Sequence, residues 1–132
     1  MANSIQVSGG SVEVFNDLDL IAIICLLDLE VESQPGRHAA GATILSKWKR
    51  DLEGYGPGTI DLKISEMGSS DAAKSDLVSL LTAISEKADL YGKTVPAAVL
   101  NERCAPQGIK FYDFPVPLIK AAIARLKGLL SG

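Results

Sequence analysis

A run of eight apolar residues, Leu20 to Leu27, constrains the fold of this 132-residue chain more than any other feature. A segment without a polar side must be buried on every side, either as a central strand or as a central helix. A membrane-spanning helix needs roughly 20 apolar residues, so we expect this shorter segment to lie in the core of a folded domain. Both secondary structures meet that requirement, and the residues that follow must decide between them.

Acidic and apolar residues alternate directly after this run, with Asp28, Glu30 and Glu32 separated by Leu29 and Val31. Such alternation is typical of a strand that has one solvent-facing side. The upstream acidic residues at 17 and 19 occupy odd positions, so a single strand would need a bulge to absorb the change of parity. We predict a strand over about residues 20–32, with a buried helix over 17–32 as the alternative.

Other patterns predict the remaining elements. Apolar residues at positions 5, 7, 12 and 14 alternate with polar ones around Gly9-Gly10, which is typical of a β-hairpin. Apolar spacing and capping residues predict helices over residues 39–53, 71–90 and 117–130. Strands are predicted over residues 60–65 and 109–114, whereas residues 94–104 fit a strand or a helix.

Strands that alternate with helices favour a sheet covered by helices. We therefore predict an α/β (or α+β) fold, with one globular domain over residues 1–132. It would contain a mixed, partly parallel β-sheet with an N-terminal hairpin, covered by about three to four helices. Hydrophobic residues make up 47% of the chain and charged residues 22%, which provides enough apolar side chains for a packed core.

Charge is distributed unevenly, although the net charge is only −3. The first 36 residues contain six carboxylates and no lysine or arginine, whereas residues 114–132 contain three basic residues and no acidic one. On a strand, Asp28, Glu30 and Glu32 would share one face. We predict that this acidic surface binds a basic protein partner and speeds its association. A metal ion is the less favoured occupant, because such sites usually draw ligands from loops or several elements.

Residues suited to catalysis are sparse. His38 is the only histidine, and the thiol of Cys25 lies within the apolar run, where an inert core position is expected. Structural zinc sites usually need four Cys or His ligands, and the chain has three such residues. We therefore expect no metal or cofactor and favour a protein without enzymatic activity. The alternative is a small enzyme or ligand-binding protein whose site combines scattered carboxylates with His38 and Tyr112.

Ser69 and Ser70 lie between a predicted strand and a predicted helix. They are candidates for capping that helix, or for phosphorylation at a position where the helix dipole favours a phosphate. The element order and these two serines resemble STAS domains, the antagonists of anti-sigma factors that are switched by phosphorylation at that junction. The serine motif of that family is not matched here.

Two features favour the cytoplasm. The N-terminus lacks the basic and then apolar regions of a secretory signal, and the two cysteines, Cys25 and Cys104, are expected to be reduced thiols rather than a disulfide. The single dense basic cluster, Lys47 to Arg50, is followed at once by acidic residues in an acidic chain, so we expect no nucleic-acid partner. We also expect no membrane partner.

The sequence thus predicts a small cytoplasmic protein-binding module with a regulatory, adaptor or toxin-neutralising (immunity-like) role. Its predicted docking surface is the acidic N-terminal region. The oligomeric state stays open at this point.

Overall fold

The computed structural model describes residues 2–67, 71–102 and 109–131. Within these ranges the chain forms one α+β domain with five α-helices and two small sheets. The strands are β1 (Asn3–Ser8), β2 (Ser11–Asn16), β3 (Thr94–Val95) and β4 (Phe114–Pro115). The helices are α1 (Asp17–Ser33), α2 (Ala39–Leu52), α3 (Asp71–Ala88), α4 (Ala97–Asn101) and α5 (Val116–Ser131).

The predicted partly parallel sheet is wrong. In the described residues, β1 pairs with β2 and β3 pairs with β4, and both pairs are antiparallel. The N-terminal hairpin is confirmed, with Gly9 at its turn in the left-handed conformation that glycine adopts without strain. The α+β alternative is therefore the correct fold class.

The strand predicted over residues 20–32 is also wrong, because helix α1 occupies this segment. The side chain of Asn16 accepts a hydrogen bond from the backbone N–H of Leu18 and so caps the helix. Asp17 and Asp19 stand in the first turn, where the helix dipole favours negative charge. These start signals outweigh the short acidic and apolar alternation near the end of the helix.

Helix α1 forms the centre of the core. Helices α2, α3 and α5 all contact α1, and α3 also packs against α2 and α5. Every side chain from Leu20 to Leu27 is at most 5% exposed, because a helix enclosed by three others needs no polar side. The helices around α1 contribute further buried side chains to this core: Trp48, Leu80, Leu81, Ile84, Ile119 and Ile123.

The remaining helix predictions are confirmed as α2, α3 and α5, but two predicted strands are wrong. Residues 60–63 lie outside any sheet, and a 3-10 turn follows at Ile64–Met67. Most of residues 109–114 is also irregular. The side chain of Asn101 donates a hydrogen bond to the C=O of Phe111 and accepts one from its N–H. These are the two bonds that a neighbouring strand would otherwise make. Residues 94–101 contain a strand and then a helix, β3 and α4.

The described part of the chain contains no helix that is both long and apolar enough to cross a membrane. Cys25 is buried and disulfide-bonded, so the prediction of a reduced thiol at this position is wrong. The only other cysteine in the sequence, Cys104, lies outside the described residues. Disulfides persist mainly in oxidising compartments, and the cysteines therefore no longer support the predicted cytoplasmic location.

Candidate functional site

The N-terminal hairpin has an apolar outer face, whereas its inner face combines the polar side chains of β1 with the fully buried Phe15 of β2. On β1, the polar side chains of Ser4, Gln6 and Ser8 point inward and are only 1–6% exposed. The apolar side chains on the opposite face are 44–61% exposed, and they belong to Ile5, Val7, Val12 and Val14. A sheet with one covered face normally turns its apolar side chains toward the core, so this arrangement requires an explanation.

The exposed apolar residues form one continuous surface, which we call the outer hairpin face (Ile5, Val7, Val12 and Val14). In the register of β1 and β2, Ile5 lies opposite Val14 and Val7 lies opposite Val12. Directly opposed side chains on one face of an antiparallel pair are close neighbours. The four side chains are therefore a single apolar patch rather than scattered exposed residues.

The inward polar side chains bind the backbone of the segment after α2. The amide of Gln6 donates to the carbonyl of Ile60 at 2.7 Å and accepts from the N–H of Leu62 at 2.9 Å. The hydroxyl oxygen of Ser4 accepts from the N–H of Ile60 at 3.1 Å. These side chains provide the bonds that a third strand would otherwise make, and this is why the polar face must point inward.

The buried carboxylate of Asp17 completes this network. It accepts hydrogen bonds from the hydroxyl groups of Ser4 and Tyr55 and from the backbone N–H of Gly58, the last two at 2.8 Å. Burial of the phenol, together with its hydrogen bond to Asp17, raises the pKa of Tyr55 to about 12. The network holds the segment from Tyr55 to Leu62 beneath the hairpin.

Arg125 of α5 occupies the edge of β2. The backbone N–H of Asp17 bonds the carbonyl of Ala2, and alternation along an antiparallel ladder then directs the carbonyl of Val14 away from β1. Arg125 donates to this carbonyl and to the carboxylate of Glu13, and its guanidinium lies 4.4 Å from the centre of the Phe15 ring. The arginine thus blocks this end of the β2 edge.

The positive charge of Arg125 also interacts with the carboxyl group of Asp19 on α1. Partial burial raises the pKa of its carboxyl group, and the charge of Arg125 acts in the opposite direction. Arg125 therefore interacts with two acidic residues of the N-terminal region, Glu13 and Asp19.

The three residues predicted to form an acidic surface do not share a strand face. Asp28 forms an ion pair with Lys49 of α2 at 2.8 Å, and its side chain is 17% exposed. Glu30 is only 3% exposed and forms an ion pair with Lys87 of α3 at 2.6 Å. Glu32 is exposed near the end of α1, one helical turn after Asp28. Two of the three carboxylates therefore join helices of the core.

The residues predicted for an alternative catalytic site lie in different surroundings. His38 adopts the left-handed conformation, and its Nδ1 atom lies 3.4 Å from the carboxylate of Asp76. That carboxylate also accepts from the N–H of Gly41 at 3.0 Å, so Asp76 caps the start of α2. Tyr112 is 80% exposed and lies in the irregular segment before β4.

Ser69 and Ser70, the candidates for phosphorylation or capping, lie outside the described residues. In the part of the chain that is described, no group of three or more His, Cys, Asp or Glu residues is arranged to hold a metal ion. A shallow cleft of about 390 Å³ runs between α2 and the segment after it, over Trp48 and Leu62. Charged side chains of both signs line it.

Comparison of the chain with protein families, curated proteins and solved structures finds no match. Function must therefore be inferred from the surfaces of this protein itself. The outer hairpin face is a continuous apolar surface that packing within the domain leaves uncovered.

Proposed function

We propose that this protein is a non-enzymatic protein-binding module, of a regulatory, adaptor or immunity-like kind, that docks through the outer hairpin face. The observation that carries this proposal is the exposure of four β-branched side chains on one face of β1 and β2. Contiguous apolar patches on a protein surface mark interaction sites. Full burial of one such side chain is worth about 1.5–3 kcal/mol, so covering the patch provides a favourable contribution to binding.

The inward polar residues support the same proposal. Gln6 and Ser4 are fully engaged by Ile60 and Leu62, so the hairpin cannot turn over to hide its apolar side. A turned hairpin would leave the buried peptide groups of the 60–62 segment without partners, which costs about 1–3 kcal/mol for each group. The apolar face is thus held outward, ready for a partner.

The acidic residues give less support for docking. Asp28 and Glu30 are held by Lys49 and Lys87, and a basic partner would have to compete with these internal ion pairs. We therefore assign the main contact to the apolar face and keep a basic partner as a secondary proposal. The disulfide of Cys25 leads us to propose an oxidising compartment instead of the cytoplasm.

A photo-crosslinking experiment tests the docking surface. A benzophenone amino acid is placed at Val12 on the outer hairpin face or, as a control, at the exposed Ser79 on α3. We expect a discrete protein adduct from position 12 and none from position 79. The captured protein is then purified, and its affinity is measured for the wild type and for the double variant Val7→Thr/Val12→Thr.

The double variant should weaken binding at least about tenfold, which corresponds to 1.4 kcal/mol, while its circular dichroism spectrum stays unchanged. Equal adducts from positions 12 and 79, or an unchanged affinity of the double variant, would show that the outer hairpin face is not the docking surface.

A further inference from the structure

We infer that the protein covering the outer hairpin face is a second copy of this chain, so that the module is a weak, face-to-face homodimer. This inference rests on the proposed docking function and names its partner. The hairpin carries no charged side chain from Ala2 to Val12, and its outer face consists of aliphatic groups. A complementary surface must itself be apolar and uncharged, because a buried charge without a partner is strongly unfavourable.

The chain itself presents such a surface. Two sheets that pack face to face lie about 10 Å apart and bury the aliphatic side chains of both inner faces. A two-fold axis would bring the outer hairpin faces of two copies together as one self-complementary contact. The result is a small four-stranded sandwich whose apolar layer replaces the core that one hairpin lacks.

The outer hairpin face carries no charge that would keep two copies apart. Glu13 is the only charged residue of the hairpin strands. It alternates with Val12 and Val14 and therefore points to the other face of the hairpin, where Arg125 of the same chain pairs with it. Although the whole chain has a net charge of −3, the contact region adds no like-charge repulsion.

The edges of the hairpin favour a closed dimer over an open fibre. Arg125 blocks the β2 edge at Val14. The segment that begins at Gly58 runs against β1, since a β-carbon added to Gly58 would lie 3.3 Å from the carbonyl oxygen of Asn3. One backbone carbonyl on each edge of the hairpin is thus covered, which disfavours edge-to-edge addition of strands there, and the exposed face is left for contact.

The size of the face sets the expected strength. A standard stable interface buries about 800 Å² on each partner, and four aliphatic side chains supply only part of that area. The dimer should therefore dissociate on dilution, with monomer and dimer in rapid exchange.

Sedimentation velocity from about 10 µM to about 1 mM protein covers the range in which micromolar to millimolar dissociation constants are visible. The weight-average mass of the wild type should rise from the monomer value of 13.9 kDa toward twice that value. Val12→Lys should remain a monomer throughout, because two lysines would be brought into the apolar contact. Ser79→Lys, which adds the same charge on α3, should associate like the wild type.

A wild type that stays at 13.9 kDa at the highest concentration, or a Val12→Lys variant that dimerises like the wild type, overturns the inference. Failure of the homodimer can be told apart from failure of the proposed docking surface. A monomeric wild type whose captured partner is a different protein, lost on Val7→Thr/Val12→Thr substitution, would refute the homodimer and retain the docking surface.

Discussion

The N-terminal hairpin and helix α1 follow each other directly in the chain, and they reach burial in opposite ways. Helix α1 buries apolar residues on every side, from Leu20 to Leu27. The hairpin buries Ser4 and Gln6 and leaves Ile5 and Val7 outside. The contrast shows that the neighbour of a segment determines which side chains it buries: α1 is surrounded by helices, whereas the hairpin covers a backbone segment that requires hydrogen bonds.

The energetic terms differ accordingly. Burial of apolar area stabilises α1 in proportion to the area removed from water, by about 25 cal/mol per Å². A hydrogen bond in the hairpin network contributes only about 0.5–1.5 kcal/mol net. Its loss leaves a buried polar group without a hydrogen-bond partner, which costs about 1–3 kcal/mol. The two regions should therefore respond differently to the same kind of substitution.

The largest effect is expected in α1. Ile23 is fully buried at the centre of the core, and Ile23→Ala should lower the free energy of unfolding by about 2–5 kcal/mol because it leaves a cavity. Ile5→Ala on the outer hairpin face removes the same atoms from a side chain that is 60% exposed, and it should cost less than about 1 kcal/mol. Urea unfolding measures both values, and similar losses would mean that the outer hairpin face is covered within the monomer.

The next effect concerns the carboxylate beneath the hairpin. The carboxylate of Asp17 accepts hydrogen bonds from Ser4, Tyr55 and Gly58. Asp17→Asn replaces one of its acceptor oxygens by an NH₂ group, which cannot accept them. It should destabilise the fold by about 1–3 kcal/mol. Asp51→Asn, an isosteric change at an exposed position of α2, is the matched control and should stay within about 0.5 kcal/mol. Equal chemical denaturation curves for the two variants would rule out a structural role for the network.

The ion pairs of α1 provide an intermediate test. Lys87→Met leaves Glu30, which is 3% exposed, without its cation, whereas Lys49→Met leaves Asp28 in a position that is 17% exposed. We expect Lys87→Met to cost about 1–2 kcal/mol and Lys49→Met less than about 1 kcal/mol, because water screens the second pair more effectively. Thermal unfolding at low and high salt measures the stability loss of each variant. A larger loss for Lys49→Met than for Lys87→Met would contradict the role of burial.

The smallest effect is a dependence on alkaline pH. The pKa of Tyr55 is raised from 10.0 to about 12 in the folded protein, so the folded state holds this proton more tightly than the unfolded state. The contribution to stability is complete below pH 10.0 and is lost as the pH rises toward 12. Tyr55→Phe, which costs about 1 kcal/mol at neutral pH, removes this dependence. The stability difference between the wild type and Tyr55→Phe should therefore shrink as the pH rises. A constant difference would show that the folded state does not raise the pKa of Tyr55.

Much of the helical architecture follows from the sequence. The spacing of apolar residues predicts α2, α3 and α5, and the glycine pair at Gly9 predicts the hairpin turn. For residues 20–32, the alternation after Leu27 favours a strand over the alternative buried helix, whereas the structure has a helix, α1, that is capped by Asn16. A run that is apolar on every side carries no period of its own, so only the residues at its ends distinguish a helix from a strand.

The hairpin shows a different limit. Alternation predicts that one face is apolar and the other polar, but it does not determine which face points inward. That choice depends on Ile60 and Leu62, more than 50 residues later, whose backbone groups bind Gln6. The absence of charge from Ala2 to Val12 was the available signal, since an uncharged polar face can be buried at a lower cost than a charged one.

One pair of substitutions tests the central claim, that the hairpin turns its polar face inward and its apolar face outward. Gln6→Val places an apolar side chain at a position that is 1% exposed, and it removes both hydrogen bonds to Ile60 and Leu62. Val7→Gln places a polar side chain at a position that is 44% exposed. We predict that Gln6→Val lowers the free energy of unfolding by about 2–4 kcal/mol, since two buried backbone groups lose their partners, and that Val7→Gln lowers it by less than about 0.5 kcal/mol. A larger loss for Val7→Gln than for Gln6→Val in urea unfolding would show that the apolar face is the inner one and would contradict the claim.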